Sequence, residues 1–271
     1  MKIQIFIPYH NQAKVSHQTA LMAKENAVLA STHVCTIRNG GEEMEDIDGV
    51  SVLSVERNMG NYPVFFWSQG FLEPDTDIVG FIHSDLFIHE KGWDYRIEQA
   101  FSVNEKIGLI GVIGSNEIES NGGRGLGTTS NFQGLTVGEW TGSHSSVHGK
   151  TDRGLSRAVV VDGCGMFFRR SVLESIPFRH EFPIHHFYDR LLSCEVIERG
   201  YEVAVLGLAV DHISGQTANT QESYFKDAER WLRYRGVWRD GKPADQQLYE
   251  EAERQFLEEY RDAKHFIPRK V

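Results

Sequence analysis

The sequence predicts an α/β fold in which helices cover both faces of a mostly parallel, twisted sheet. Strand-like and helix-like segments alternate between residues 2 and 113, as they do in proteins with parallel sheets. The segments 77–82 and 107–113 are almost continuously apolar, which is typical of strands buried on both faces. Polar residues follow the predicted strands, as in Ile82-His83-Ser84-Asp85, and open α/β sheets bind ligands at the carboxyl ends of their strands.

The first part of the chain contains the predicted core elements. The strands are expected over residues 2–7, 33–37, 50–55, 77–82 and 107–113. The helices are expected over 12–29, 63–72 and 93–103. Apolar residues from Val15 to Leu29 anchor the first helix, and Pro63 suits the first turn of the second. Asn39-Gly40-Gly41 predicts the turn that ends the second strand.

The chain changes character between residues 115 and 150. This segment is rich in Gly, Ser, Thr and Asn, and a stretch of this length inside a compact domain is typical of a functional loop. We expect it to act as a lid or as a loop that contacts the acceptor. The run Gly122-Gly-Arg-Gly-Leu-Gly127 lacks the flanking strand and helix of a dinucleotide-binding motif.

The remaining elements follow this glycine-rich segment. Strands are expected over 158–161 and 201–210, the latter ending at Asp211-His212, and a helix within 184–199 is ended by Gly200. Two amphipathic helices follow, and the second carries an apolar stripe formed by Leu248, Ala252, Phe256 and Tyr260. We expect a main domain over residues 1–215 and a C-terminal helical extension over 216–271.

Composition excludes several classes of protein. The formal net charge of −10 argues against a broad nonspecific nucleic-acid surface, because such surfaces neutralise phosphates with Lys and Arg. The three cysteines are widely spaced and form no CxxC pair, so neither a zinc knuckle nor a disulfide framework is predicted. The apolar stretch at the N-terminus is too short for a signal peptide, and no run approaches the ~20 apolar residues of a membrane span. We therefore expect a cytoplasmic protein.

Three residues near predicted strand or helix ends are candidate catalytic or metal-binding residues. Burial of a charge costs several kcal/mol unless it is paired or bound to a metal, so Asp85 is expected at the mouth of a strand. Asp189 and His212 occupy comparable positions later in the chain. Carboxylate and imidazole groups suit Mn²⁺ or Mg²⁺ with a bound diphosphate. No short chelating motif such as HExxH is present, so a metal site would have to combine distant segments.

An ordered series of short motifs resembles the family 2 glycosyltransferases of the GT-A fold, in particular their bacterial and phage branch. The resemblance covers residues 1–215 and rests on the order and spacing of the motifs. The motifs are Pro8-Tyr9-His10-Asn11, Arg57-Asn58-Met59-Gly60-Asn61, His83-Ser84-Asp85, Asp162-Gly163-Cys164-Gly165, Tyr188-Asp189 and Asp211-His212.

The resemblance implies a divalent cation, Mn²⁺ or Mg²⁺, that bridges the diphosphate of the donor. His83-Ser84-Asp85 stands where the family has Asp-x-Asp, so Asp85 would bind the cation and His212 would complete the site. His83 replaces the first acid of the motif and would touch the ribose or the metal. Asp189 stands at the catalytic Asp of a Glu-Asp motif, with Tyr188 in place of Glu.

The resemblance also implies the residues that hold the nucleotide sugar. Pro8, Tyr9 and Asn39 match positions that contact the base and ribose. Asn58 and Gly60 match a turn before the helix that supports the nucleotide. The remaining implied donor-site residues are Ser84, Gly163 and Cys164, the last two in the turn that lines the donor sugar.

The expected function is that of a metal-dependent glycosyltransferase, inverting, with Asp189 as general base. A nucleotidyltransferase is the first alternative, but that class usually has a Gly-rich, basic loop where this chain has Pro8-Tyr9-His10-Asn11. A noncatalytic sugar- or nucleotide-binding module is the second, because His83 and Leu191 depart from the family's acids. The acceptor stays open among a glycan, a protein, a lipid-linked saccharide and a modified nucleic-acid base, and so does the oligomeric state.

Overall fold

A computed structural model describes residues 1–123, 153–213 and 222–260 of the chain, and all structural statements refer to these residues. The strands are β1 (Ile3–Tyr9), β2 (Thr32–Asn39), β3 (Ser51–Val55), β4 (Ile78–Ile82), β5 (Leu86–Ile88), β6 (Ile107–Gly111), β7 (Gly114–Ser115), β8 (Leu155–Ala158), β9 (Val160–Val161), β10 (Gly165–Arg169), β11 (Glu202–Leu206) and β12 (Val210–His212). The helices are α1 (Ala13–Asn26), α2 (Asn61–Ser68), α3 (Trp93–Val103), α4 (Arg170–Leu173), α5 (Tyr188–Glu198), α6 (Glu222–Tyr234) and α7 (Ala244–Tyr260), with a 3₁₀ turn at Gln69–Phe71.

The central sheet has eight strands in the order β3-β2-β1-β4-β10-β6-β11-β8. β10 runs antiparallel to both of its neighbours, β8 runs antiparallel to β11, and the other neighbouring strands are parallel. The predicted α/β fold with a mostly parallel sheet is therefore confirmed. Because of these directions, the carboxyl ends of β1, β2, β3 and β4 lie at one edge of the sheet, together with the amino end of β10.

Alternating residues of each strand divide the core between the two faces of the sheet. In β1, Ile3, Ile5 and Ile7 pack into one apolar cluster with α1 and α3, whereas Phe6 belongs to the other. The second cluster includes residues of α2, α5 and α7. This division follows from the two-residue period of a strand, and it places helices on both faces as predicted.

The C-terminal helices pack through the stripes that their spacing predicts. Ala252, Phe256 and Tyr260 of α7 are buried in the same cluster as Phe187 and Tyr188. Elsewhere along α7, Leu248 packs with Ala228 and Leu232 of α6. The division into two domains at residue 215 stays a prediction. Among the described residues, no helix is both long and apolar enough to cross a membrane.

The strand predicted over 201–210 is wrong in one respect, because the structure divides it. β11 ends at Leu206, and β12 leaves the main sheet to pair with β5, where His212 stands opposite Leu86. Between them, Gly207 N donates to Gly154 O at 3.0 Å and Ala209 N donates to Glu90 Oε2 at 2.9 Å, so this backbone is not available to β6. The change of sheet brings His212 next to Asp85.

Two further boundaries differ from prediction for similar reasons. The first helix ends at Asn26 rather than Leu29, because the buried carboxylate of Asp94 accepts hydrogen bonds from Val28 N and Leu29 N. The strand predicted over 158–161 is divided into β8 and β9, where Val159 N donates to Ser115 O. Most of the predicted lid, residues 124–150, lies outside the described residues.

Candidate functional site

An open cleft of about 360 Å³ lies where the parallel strands β1–β4 end. Its lining includes Pro8 and Tyr9 at the end of β1, Asn39 at the end of β2 and Asn58 after β3. His83, Ser84 and Asp85 follow β4, while Gly163, Asp189 and His212 come from the second part of the chain. The structure thus brings together ten of the predicted site residues and leaves Gly60 and Cys164 outside the lining.

Two asparagines fix the end of the cleft next to β2. Asn39 Nδ2 donates to Asn58 Oδ1 at 2.9 Å, and Asn39 Oδ1 accepts from Met59 N at 2.9 Å. Asn58 Oδ1 also accepts from Gly60 N at 3.0 Å. Gly60 has φ +84°, and a Cβ there would lie 2.6 Å from Ile184 O, so glycine is required at the start of α2. Gly60 therefore shapes the cleft through the backbone.

Asp85, His83 and His212 form a compact cluster of potential metal ligands. One ligand atom of each lies within 4.8 Å of those of the other two. His212 Nε2 lies 3.3 Å from Asp85 Oδ1, and the rings of His83 and His212 are 5.8 Å apart. The backbone holds the cluster in place, because Ile213 N donates to Asp85 O and His83 N donates to Cys164 O.

Burial and neighbouring charges together determine the charge states of His83 and Asp85. Burial lowers the pKa of His83 to about 4, although the nearby carboxylate of Asp85 opposes the shift. His83 is therefore a neutral imidazole with a lone pair at neutral pH. Burial works against the charged form of Asp85, but the imidazoles of His212 and His83 outweigh it, and the pKa of the carboxyl lies below its usual value. A carboxylate and a neutral imidazole are both competent ligands for a divalent cation.

Tyr188 connects this cluster to the first turn of α5. Its hydroxyl lies 2.7 Å from His83 Nε2 and donates to Gly163 O at 3.3 Å. Burial raises the pKa of Tyr188 well above its usual value, so the hydroxyl keeps its proton. A Cβ at position 163 would lie 2.3 Å from Tyr188 Oη, so the glycine at this turn makes room for the tyrosine.

Asp189 lies in the first turn of α5, where the helix dipole favours a negative charge. Its Oδ1 accepts from Arg190 N at 2.8 Å and its Oδ2 accepts from Gly163 N at 3.3 Å. These two backbone donors orient the carboxylate. The preceding residue, Phe187, has φ +61°, an unusual value for a residue other than glycine. That conformation turns the chain into α5 beside the cleft.

Cys164 is fully buried, and its side chain packs in the apolar cluster with Leu86 and Phe167. It reaches the site through its carbonyl oxygen, which accepts from His83 N at 2.8 Å. Ser84 is also largely buried, and its carbonyl accepts from Thr19 Oγ1 at 2.7 Å. The predicted donor contacts of Cys164 and Ser84 stay predictions.

The cleft also has a wall that the predicted site does not include. This wall is formed by His185, His186, Phe187 and Arg190 near the start of α5, and by Tyr224 and Tyr249 of the C-terminal helices. His186 Nε2 lies 2.8 Å from Asp245 Oδ1, and Tyr224 also donates to this carboxylate. The doublet His185-His186 and the position of Arg190 beside Asp189 are the sequence signals for this wall.

Comparison of the chain with known proteins identifies its family. The model of a family described as "Glycosyltransferase like family" matches residues 69–260, more than two thirds of the chain. No protein of curated function matches the sequence.

Solved structures share the fold at low sequence identity. The structure of GalNAc-T7 with UDP, GalNAc and Mn²⁺ superposes with a TM-score of 0.60 at 13% identity, covering 89% of this chain and 48% of that one. The mannosyltransferase PcManGT from Pyrobaculum calidifontis, in complex with GDP-Man and Mn²⁺, superposes with a TM-score of 0.54 at 8% identity, covering 97% and 70%. The chain thus spans about half the length of the first of these proteins.

Proposed function

Because the chain belongs to the glycosyltransferase-like family, we propose that it transfers a sugar from a nucleotide-diphosphate donor to an acceptor hydroxyl. The observation that carries the proposal is the cluster of His83, Asp85 and His212 at the carboxyl ends of the strands, beside the carboxylate of Asp189. Two proteins that share the fold were solved with a nucleotide or nucleotide sugar and Mn²⁺, which supports this class of donor.

The chemistry of the cluster fits a divalent cation. His83, Asp85 and His212 would hold Mn²⁺ or Mg²⁺, and the bound cation would neutralise the charge that develops on the departing diphosphate. When the Tyr188 hydroxyl donates to Gly163 O, its oxygen can accept a hydrogen bond from the protonated Nε2 of His83, which leaves Nδ1 of His83 as the ligand atom. Metal-binding histidines commonly donate their other ring N–H in this way.

Residues of the cleft at the ends of β1 and β2 would hold the nucleotide. Pro8 and Tyr9 line the cleft beside Asn39 and Asn58, so the base and ribose would lie along the ends of β1 and β2. Gly163 lines the cleft and its N–H donates to Asp189 Oδ2, so a donor sugar bound near Gly163 would lie close to the carboxylate of Asp189. Ser84, Gly60 and Cys164 would contribute through the backbone that shapes the cleft.

Asp189 would act as the general base. An acceptor hydroxyl oxygen would attack the anomeric carbon while its proton passes to Asp189, and the bond from that carbon to the diphosphate oxygen would break. The products are the glycosylated acceptor and a nucleoside diphosphate. Direct attack of this kind inverts the configuration at the anomeric carbon.

The proposal is tested by the products formed from a panel of nucleotide sugars in the presence of Mn²⁺. We expect release of the nucleoside diphosphate, slowly to water and faster when an acceptor is present. Release of pyrophosphate from a nucleoside triphosphate and a sugar phosphate would instead identify a nucleotidyltransferase. Nucleotide binding without either product would identify a noncatalytic binding module, and both results contradict the proposal.

A further inference from the structure

Arg190 is the only Lys or Arg among the described residues that line the cleft. Its Nε is buried without a hydrogen-bond partner, and its guanidinium forms no ion pair with a described carboxylate. The chain as a whole is acidic, and two other partly buried arginines, Arg179 and Arg199, are paired with Glu195. A third, Arg169, donates to two backbone carbonyl oxygens, whereas no described hydrogen-bond acceptor lies at the buried Nε of Arg190. A partly buried cation without a counter-charge among the described residues is unfavourable, which points to a bound anion as its partner.

The position of the guanidinium is fixed by aromatic packing. Its central carbon lies 4.0 Å from the centroid of the Phe187 ring, which in turn packs against Tyr249 of α7 at 5.1 Å. The face of an aromatic ring orients a guanidinium but leaves its N–H groups available for a planar anion. Arg190 is therefore preorganised toward the cleft, and no carboxylate in the described part of the chain neutralises it.

A second unsatisfied group lies in the same wall. His185 Nε2 is buried without a hydrogen-bond partner, and burial lowers the pKa of His185 to about 3, so the ring is neutral. Its ring packs 4.7 Å from that of Tyr224. The neighbouring His186 is already engaged with Asp245. The wall thus offers one cation and one neutral hydrogen-bonding group, beside aromatic rings that suit the face of a sugar.

We propose that Arg190 binds an anionic group of the acceptor, a carboxylate or a phosphate, beside Asp189 and the aromatic ring of Tyr249. This inference rests on the proposed function, because it assigns the donor diphosphate to the cluster of His83, Asp85 and His212. Arg190 follows the proposed base directly in sequence, and the wall that carries it is completed by α6 and α7. The acceptor class is accordingly an acidic saccharide or a sugar phosphate.

The test measures binding and does not require turnover. Methyl glucuronide, glucose 1-phosphate and neutral methyl glucoside are titrated into the full chain by ligand-observed NMR. At least one anionic probe should bind more tightly than the neutral glucoside. Arg190→Gln should weaken that binding about ten- to hundredfold, and Arg190→Lys should weaken it less. Arg230→Gln, in an exposed arginine of α6, is the matched control.

A second arm separates an acceptor anion from the donor diphosphate. The titration is repeated with saturating UDP or GDP and Mn²⁺, under which an anion bound on the acceptor side should still bind. Displacement of the probe, equal binding of charged and neutral probes, no binding of either anionic probe, or unchanged binding by a folded Arg190→Gln variant would each overturn the inference. If UDP and GDP failed to bind, the proposed function would be contradicted. The titrations with the anionic probes would still show whether Arg190 binds an anion.

Discussion

Asp189 is the residue on which the proposed mechanism depends most directly. Asp189→Asn keeps the size of the side chain and one acceptor oxygen for the backbone N–H of Gly163 or Arg190. It removes the ability to take a proton from the acceptor. We expect the transfer rate to fall by ~10²–10⁴-fold with little change in stability, measured as release of nucleoside diphosphate.

The control for this substitution is Asp48→Asn, in an exposed carboxylate away from the cleft. This variant should transfer sugar at the rate of the unmodified chain. If a folded Asp189→Asn variant kept that rate as well, Asp189 would not be the base.

Tyr188 is expected to act on metal binding through His83. Tyr188→Phe removes the hydroxyl that lies 2.7 Å from His83 Nε2, so the imidazole loses the group that orients it. Loss of such an outer partner typically costs 10–100-fold in metal affinity. A calorimetric titration with Mn²⁺ should show a loss of about this size.

Tyr234→Phe is a matched control, since Tyr234 is 85% exposed on α6. A Tyr188→Phe variant with the Mn²⁺ affinity of this control would mean that the hydroxyl does not orient His83.

At the scale of elements, the junction between α5 and α7 stabilises the position of α5, whose first turn lines the cleft. Glu195 of α5 is 2% exposed and accepts hydrogen bonds from Arg179 and Arg199, and Tyr260 of α7 lies 3.4 Å from it. Arg179 also pairs with Glu259 of α7. The network therefore holds α5, which carries Tyr188 and Asp189, against the C-terminal helix.

Glu195→Gln should destabilise the fold by about 3 kcal/mol, because it leaves two arginines without their shared carboxylate. The arginines are partly exposed, so we expect the lower end of the range for buried pairs. Chemical denaturation measures the change. Glu229→Gln, in an exposed pair with Arg233, should cost less than ~1 kcal/mol. Equal losses in the two variants would contradict the role of the junction.

The elements also show which parts of the structure local sequence patterns determine. The apolar runs predict β4 and β6, and the four-residue spacing predicts the buried stripe of α7, because both depend on local periodicity. The change of sheet between β11 and β12 was missed, since it depends on Gly154 and Glu90, which are distant in sequence. The end of α1 also depends on a residue distant in sequence, because Asp94 accepts a hydrogen bond from Val28 N just beyond the helix.

The site could be predicted only in part for the same reason. The ends of predicted strands and helices identify Asp85, Asp189 and His212, and the resemblance adds Asn39 and Asn58. The resemblance leaves the role of His83 open between the ribose and the metal, and its position beside Asp85 and His212 depends on the pairing of β12 with β5. The wall around Arg190 depends on α6 and α7, whose contacts with the cleft no local pattern indicates.

At the scale of the whole molecule, the strand ends of the sheet and two C-terminal helices line the same cleft. The nucleotide would lie along β1 and β2, the cation would be held by residues after β4 and in β12, and the acceptor would lie against α5 and α7. Because Arg190 is the only Lys or Arg among the described residues of the lining and is assigned to the acceptor, we expect a divalent cation to neutralise the diphosphate.

The central claim is that nucleotide binding depends on a cation held by Asp85 and the two histidines. The most direct measurement is a calorimetric titration of UDP and GDP, with Mn²⁺ and with a chelator, into the unmodified chain and Asp85→Asn. We predict that UDP or GDP binds to the unmodified chain in the presence of Mn²⁺. The affinity for that nucleotide should fall about tenfold or more when the chelator replaces Mn²⁺, and by a similar factor in Asp85→Asn, as expected for loss of a charged ligand. Equal affinity in the presence of the chelator, or in a folded Asp85→Asn variant, would contradict it.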